Sequence, residues 1–396
     1  MKIPNESREW TPGFGLRDQV RRPALPCERW PNRSCVRTDE LMLFPLVSSR
    51  AVVQHGAQAR WLLEPSDAAR GDTSLRKQLF LVVSLVVASS PALADVTIDW
   101  VPVGNPGNAA DDAANCRGSD CGSVDRAYSI SKYLTTNAQY AEFLNTVDAG
   151  GSDTLALYNA SMGSDPDNGG IDFVAGNASG SKYVVKAGFA NKPVAYVSFW
   201  DVLRFANWLH NGQGSAGTET GAYTITLAGI TNNTITRNPG ATVFLPSENE
   251  WYKAAYFDGA NYFDYPAGSD AQITCAMPGA TPNTANCDPG GPLAVTDVGA
   301  YTGSASPYGT FDQGGNLWQW NEEIVYTAYR GIRGGSWGYT VSNTGASIPY
   351  EIEPTLEYED VGFRVASPAP EPGPGLLGMT AVLGLALLRK RTAKAL

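Results

Sequence analysis

Apolar positions along the chain group into three helical stretches set among long glycine-rich connections. Over 136–147, Tyr140, Phe143, Leu144 and Val147 recur at spacings of three and four, which buries one face of a helix, with Thr136 or Asn137 available as its cap. Over 201–209, Val202, Phe205, Ala206 and Leu209 repeat the pattern behind Ser198. The third helix follows Leu245-Pro246-Ser247-Glu248-Asn249-Glu250, where Ser247 and Glu250 form a capping box and Trp251, Ala254 and Ala255 supply the buried stripe. Short runs at 99–103 and 127–132 predict strands. The loops at 150–180 and 258–291 are rich in Gly, Asn and Ser, and loops of that length in a compact domain call for functional or metal constraints. The pattern predicts an α+β domain of low regular content, and no repeat of fixed period is visible.

Two further apolar runs stand apart from that domain. Arg76-Lys77, the run 79–88 and Ala92-Leu93-Ala94 have the charged, apolar, small-x-small order of a secretory signal, and the run is too short to span a bilayer. Residues 75–94 are therefore expected to be a signal peptide. Residues 1–74, rich in Arg and Pro and without helical or strand periodicity, read as a non-native upstream extension or a disordered segment. The competing reading is an N-terminal extension with a membrane anchor at 79–94. At the other end, Pro370-Glu371-Pro372, the apolar stretch 373–388 and Arg389-Lys390-Arg391 have the order of a stop-transfer element, and the three-part pattern resembles the PEP-CTERM sorting signal. That resemblance implies a sorting protease of the exosortase type as partner, a transient membrane helix within 368–396, and a destination at the cell surface or in the extracellular matrix of a Gram-negative-type bacterium. The globular domain is then 95–367.

Charge sharpens the division. Between Asp95 and Pro372 there are 30 Asp and Glu against 12 Lys and Arg, a net of −18, whereas residues 1–94 carry 13 basic and 9 acidic side chains. So acidic a domain repels phosphate backbones and argues against a nucleic-acid partner, while it favours cations. Cysteine usage fits export: Cys116 and Cys121 lie close together, as do Cys275 and Cys287, and such local pairs read as two small-loop disulfides. A four-cysteine zinc site fits the wider spacing poorly.

Seven short motifs then appear in order: Val103 to Asn108, Thr136 to Tyr140, Pro193 to Ser198, Leu245 to Trp251, Gly315-Asn316-Leu317-Trp318-Gln319-Trp320, Arg333-Gly334-Gly335-Ser336-Trp337 and Val361-Gly362-Phe363-Arg364. Each is weak alone. Their succession resembles the formylglycine-generating, or sulfatase-modifying factor, family across nearly the whole domain. The resemblance implies a single α+β domain related to the C-type lectin-like architecture and stabilised by calcium.

The same resemblance marks where chemistry should sit. Family members that generate formylglycine use two cysteines, three and eight places beyond the serine of the Gly-Gly-Ser motif, to hold copper. Here those places are Tyr339 and Thr344, neither a soft thiolate ligand, so no copper is expected. A second branch uses three histidines for iron; the globular domain has only His210, so no iron is expected either, and His210 reads as closing a helix C-terminus. A cleft arginine five residues before a Pro-Thr step is replaced by Pro349. Calcium is expected at Asp312, Gly315, Leu317 and Gln319, with side-chain oxygens from the first and last and carbonyls from the other two. The family carries an amide first and Glu last, and calcium accepts hard oxygens in flexible geometry. A tight loop packed by Trp318 and Trp320 without metal is the alternative. A second calcium site is expected near Asn286 and the Cys287 carbonyl, with Asp288 or Asp297 as its acid.

The altered cleft is expected to be lined by Trp337, Tyr339, Arg333, Tyr350 and Arg364, with Tyr358 close by, an aromatic and polar hollow suited to a polysaccharide or peptide; core packing competes, for Trp337 in particular. The acidic pairs Asp111-Asp112 and Glu322-Glu323 and the run from Glu357 to Asp360 read as solvated surface. Two functions of different class follow: an exported binding or structural module on this scaffold, or a sulfatase-modifying-factor-type oxidoreductase or other enzyme working in the altered cleft.

Overall fold

The computed structural model describes residues 95–112, 116 and 120–369. The expected leader, Cys27 and Cys35, Pro370, Glu371 and Pro372 and the apolar stretch 373–388 lie outside the described residues. Among the described residues no helix is long and apolar enough to cross a membrane.

Five helices are present among these residues: α1 (Asn137–Val147), α2 (Ser161–Ser164), α3 (Phe199–His210), α4 (Leu227–Thr231) and α5 (Glu248–Tyr256). The three longest share one starting device. Thr136, Ser198 and Ser247 are N-caps whose hydroxyls accept from the backbone N–H three residues on, and Gln139, Asp201 and Glu250 return the bond to the cap N–H. Each such cap contributes about 1 kcal/mol. α3 begins two residues before the apolar periodicity because Ser198 fixes its start, and Phe199 and Trp200 are buried with it. α2 and α4, one turn each, left no periodicity to read.

The strands are β1 (Trp100–Val103), β2 (Tyr128–Ser131), β3 (Ile171–Phe173), β4 (Tyr183–Val185), β5 (Thr274–Cys275), β6 (Thr284–Ala285), β7 (Trp318–Val325), β8 (Tyr329–Arg333), β9 (Tyr350–Ile352), β10 (Val361–Gly362) and β11 (Ala366–Pro368). β2 lies between β1 and β11, with Val101 and Ala366 both opposite Ile130, so the two ends of the domain meet on one strand. The second sheet runs β10-β7-β8-β9, with β10 parallel to β7 and the rest antiparallel. Trp318, Gln319 and Trp320 are all buried, so the start of β7 is enclosed on both faces and shows no alternation.

The core between these layers is aromatic. Phe205 on α3 meets Phe143 of α1 edge-on at 5.4 Å and Phe363 at 5.2 Å, and Phe199 meets Trp320 of β7 at 5.8 Å. Hydrogen bonds and a disulfide fasten the long loops. In the first, Tyr140 donates to the Leu157 carbonyl at 2.9 Å, and the Asp148 carboxylate accepts from the backbone N–H groups of Ser152 and Asp153. The second contains β5, β6 and a disulfide between Cys275 and Cys287. A second disulfide joins Cys116 and Cys121.

Candidate functional site

Beyond β8 the chain turns sharply. Gly334 and Gly335 have φ of 99° and 71°, and a Cβ on Gly334 would lie 2.8 Å from the Gln313 carbonyl oxygen, so the turn is closed to larger residues. The two positions of interest then separate. Tyr339 is 42% exposed, whereas Thr344 is fully buried at the end of a 3-10 turn, Val341–Thr344, with its hydroxyl donating to the Val341 carbonyl at 2.8 Å. The Thr344 carbonyl accepts from Tyr256 Oη.

Tyr339 belongs to an aromatic face. Trp318 meets its ring edge-on at 5.6 Å and stacks on Tyr350 at 5.5 Å, with Tyr350 46% exposed. Tyr358 is also exposed, and its carbonyl accepts from the Tyr196 N–H. Beneath this face Ser336 donates to Asp360 at 2.8 Å. Burial lifts the Asp360 carboxyl to about 6, with the Ser336 bond offsetting part of the rise and Glu359 adding to it. Burial also raises the Tyr339 phenol, and Asp360 is the largest of the charges that add to it. The expected cleft therefore needs correction. Tyr339 and Tyr350 are accessible, but Arg333 and Arg364 are fully buried and line no hollow. Arg333 pairs with Glu248 at 2.5 Å and donates to the Ala346 carbonyl; Arg364 donates to Gln319 Oε1 and to the carbonyls of Ser131 and Phe311. Trp337 packs partly buried against the core.

A cysteine pair does approach this region. Asp288 donates its N–H to the Tyr339 carbonyl, and Val341 packs on the small cluster that holds Cys287 and Cys275. Both sulfurs are tied in their disulfide, and Cys287 is fully buried.

The donors assigned to the first calcium site do not fit a cation. Gln319 Nε2 donates to the Asp312 carbonyl at 2.6 Å and lies 3.5 Å from the Leu317 carbonyl, so an N–H group points toward one of the carbonyls assigned to the cation. Its Oε1 is taken by Trp251 Nε1 at 2.9 Å and Arg364 Nε at 2.6 Å. Asp312 is buried, one carboxylate oxygen accepting from the Gly299 N–H at 2.7 Å, and the Gly315 N–H donates to the Gly334 carbonyl. An amide offers only one oxygen, and in this arrangement that oxygen is already used by Trp251 and Arg364, so Gln319 is a poorer calcium donor than the family's Glu. At the second site the fit is better. Asn286 Oδ1 is buried without a hydrogen-bond partner, while its Nδ2 donates to the Ala294 carbonyl; the Cys287 carbonyl accepts from the Gly291 N–H. Asp297 is exposed in a 420 Å³ cleft lined also by Asp99, Gln139 and Asn191.

Several acids read as solvated surface are engaged. Glu322 bonds Arg237 and Tyr223, Asp111 accepts from Tyr252, and Glu357 accepts from Asn159. Asp201, buried at the start of α3, is pushed up to about 7 by burial, with the Ser198 hydroxyl offsetting part and Glu357 adding to it. The sequence placed Asp201 at the start of a helix capped by Ser198, but nothing there foretold its return bond to the cap or its burial beside Glu357. His210 does end α3, and its Nδ1 accepts from the Thr242 N–H at 3.1 Å, so it ties the helix to a neighbouring loop.

Residues 100–369 match the family model of the sulfatase-modifying factor enzyme 1-like domain. Among solved structures the chain is similar to CarF, at 20% identity over 70% of this chain and 100% of that one, with a TM-score of 0.43. It is similar also to Treponema denticola variable protein 1, at 16% identity over 70% and 97% of the two chains (TM-score 0.40). PvdO from Pseudomonas aeruginosa matches at 17% identity over 69% and 92% (TM-score 0.39). No curated protein matches the chain.

Proposed function

Because this chain belongs to the family of sulfatase-modifying factor enzyme 1-like domains, we propose that it is an exported binding or structural module built on that scaffold, working without the family's cysteine chemistry. The observation that carries the reading is the pair Tyr339 and Thr344. One is a phenol on an open aromatic face and the other a buried hydroxyl bonded to its own turn, so the two neither hold a soft metal nor converge on one. The exposed rings of Tyr339 and Tyr350, braced on the buried Trp318, with Tyr358 and the acid Glu359 nearby, suit a polysaccharide or peptide that stacks on rings and offers hydroxyls or cations to a carboxylate.

Export is supported by the two disulfides, which persist in an oxidising compartment. In this reading 75–94 directs secretion, an exosortase-type protease acts at Pro370-Glu371-Pro372, and the domain 95–367 is retained at the surface or in the matrix. The structural place for calcium in this reading is at Asn286 and Cys287, where an oxygen is buried without a partner.

A glycan and peptide array probed with the purified chain tests the reading. A class of ligand should emerge whose binding falls about five-fold in Tyr350→Ala, the loss of roughly 1 kcal/mol expected for one stacked ring. Retention of full affinity by Tyr350→Ala and Tyr339→Ala would remove the face from the account. The enzymatic reading has one observation in its favour, the cysteine pair packed behind Val341; aldehyde formation on a cysteine-containing peptide would establish it.

A further inference from the structure

The amide of Gln319 occupies a position whose surroundings are divided by chemistry. On one side stand two donors, Trp251 Nε1 at 2.9 Å and Arg364 Nε at 2.6 Å; on the other stand two carbonyl oxygens, Asp312 O at 2.6 Å and Leu317 O at 3.5 Å. The orientation of the amide is fixed by this division. Turned over, it would set its N–H groups against two N–H donors and its oxygen against two carbonyls, with every group buried. A carboxylate in the same place would accept from Trp251 and Arg364 with one oxygen and turn its other oxygen toward the carbonyls. Three oxygens would then face one another, and only a cation between them relieves that repulsion.

From this division we propose that Gln319 replaces a bound divalent cation with its own N–H group, so that the loop 312–319 is complete without metal and a single change, Gln319→Glu, makes it a calcium site. Charge agrees with geometry. Asp312 and Arg364 are buried neighbours of opposite sign, and the structure gives the Arg364 guanidinium carbonyl and amide oxygens as partners rather than a carboxylate. With one acid and one base the pocket is neutral as it stands. A divalent ion added to it would leave two uncompensated charges in the interior, whereas the extra carboxylate introduced by Gln319→Glu would offset one of them. Asp312 Oδ2 receives one N–H, from Gly299, and keeps acceptor capacity. This inference stands apart from the binding reading above, since it concerns what holds the β7 loop and not what the aromatic face takes.

Calorimetric titration of the full chain with calcium, after chelation and dialysis, tests it. The chain as it is and its Asp312→Asn variant should bind the same number of equivalents, and Gln319→Glu should bind one more. Where Gln319→Glu folds poorly in chelator, calcium should restore its circular-dichroism spectrum and melting transition. Loss of one equivalent on Asp312→Asn alone would show that the natural chain already holds an ion there. A folded Gln319→Glu that gains no equivalent would also overturn the proposal, as would a variant that calcium fails to fold.

Discussion

Single residues set the chemistry of this molecule by where their polar atoms are held. Asp201 is the clearest instance. Its carboxyl is enclosed at the start of α3, held by Ser198, with Arg204 at 3.9 Å, and burial, with the like charge of Glu357, pushes it up to about 7 from an ordinary 3.8. The folded chain thus keeps a proton that the unfolded chain has released between about pH 4 and pH 7. Its contribution to stability is full below the unfolded value and is lost as pH rises through the folded one. The melting temperature should therefore fall between about pH 4 and pH 7, and Asp201→Asn, which keeps an acceptor for the Ser198 N–H, should flatten that decline. A decline of equal slope in the variant would assign it to other groups. Position 319 shows what sequence withholds at this scale. The motif identified Gln319 as a ligand position, but its amide is oriented by Trp251 and Arg364, residues 68 and 45 positions away that only the fold brings together.

Elements were legible where their signals are local. Apolar spacing and a Ser or Thr cap mark the three long helices, and Ser247 with Glu250 marks α5 by a full capping box, because a cap is made by neighbours in the chain; the structure adds the same box at Thr136 and Ser198. β7 was legible only as a motif, since burial on both faces removes the alternation that marks a strand. What holds the elements together was less visible still. Arg237 lies between two of them, reaching Glu250 of α5 at 2.7 Å and Glu322 of β7 at 2.6 Å while its guanidinium covers the Phe244 ring at 3.6 Å. Burial pushes the Glu250 carboxyl up, yet Arg237 outweighs it and holds the group below its ordinary value. Arg237→Leu should cost about 3 kcal/mol in urea denaturation, because two enclosed carboxylates lose their common partner. Pairing it with Glu250→Gln should recover part of that loss; a single substitution costing under about 1 kcal/mol would mean that Arg126, also bonded to Glu250, suffices.

At the scale of the whole molecule the design is an acidic, aromatic-cored domain whose long loops are fastened by hydrogen bonds and the Cys275–Cys287 disulfide, with a second short-range bridge at Cys116–Cys121. The Cys275–Cys287 bridge closes a loop with a separation of 12 residues behind the Tyr339 segment. Its removal as Cys275→Ala/Cys287→Ala should lower stability by about 2–3 kcal/mol, as bridges of that span do, and should loosen the aromatic face as measured by hydrogen exchange at Tyr339 and Thr340. Unchanged protection there would separate the bridge from the site. The family was legible because its seven motifs depend on order along the chain. The exposure of the cleft residues was not, since the burial of Arg333 and Arg364 is decided by partners drawn from distant segments.

Copper loading tests most directly the proposal that this domain recognises a ligand without the family's thiol chemistry. The chain is reduced so that Cys275 and Cys287 are free, charged with copper, given a cysteine-containing peptide and oxygen, and the peptide is analysed by mass spectrometry. The account predicts unmodified peptide with and without the reduction step; conversion of the cysteine to an aldehyde under either condition would contradict it.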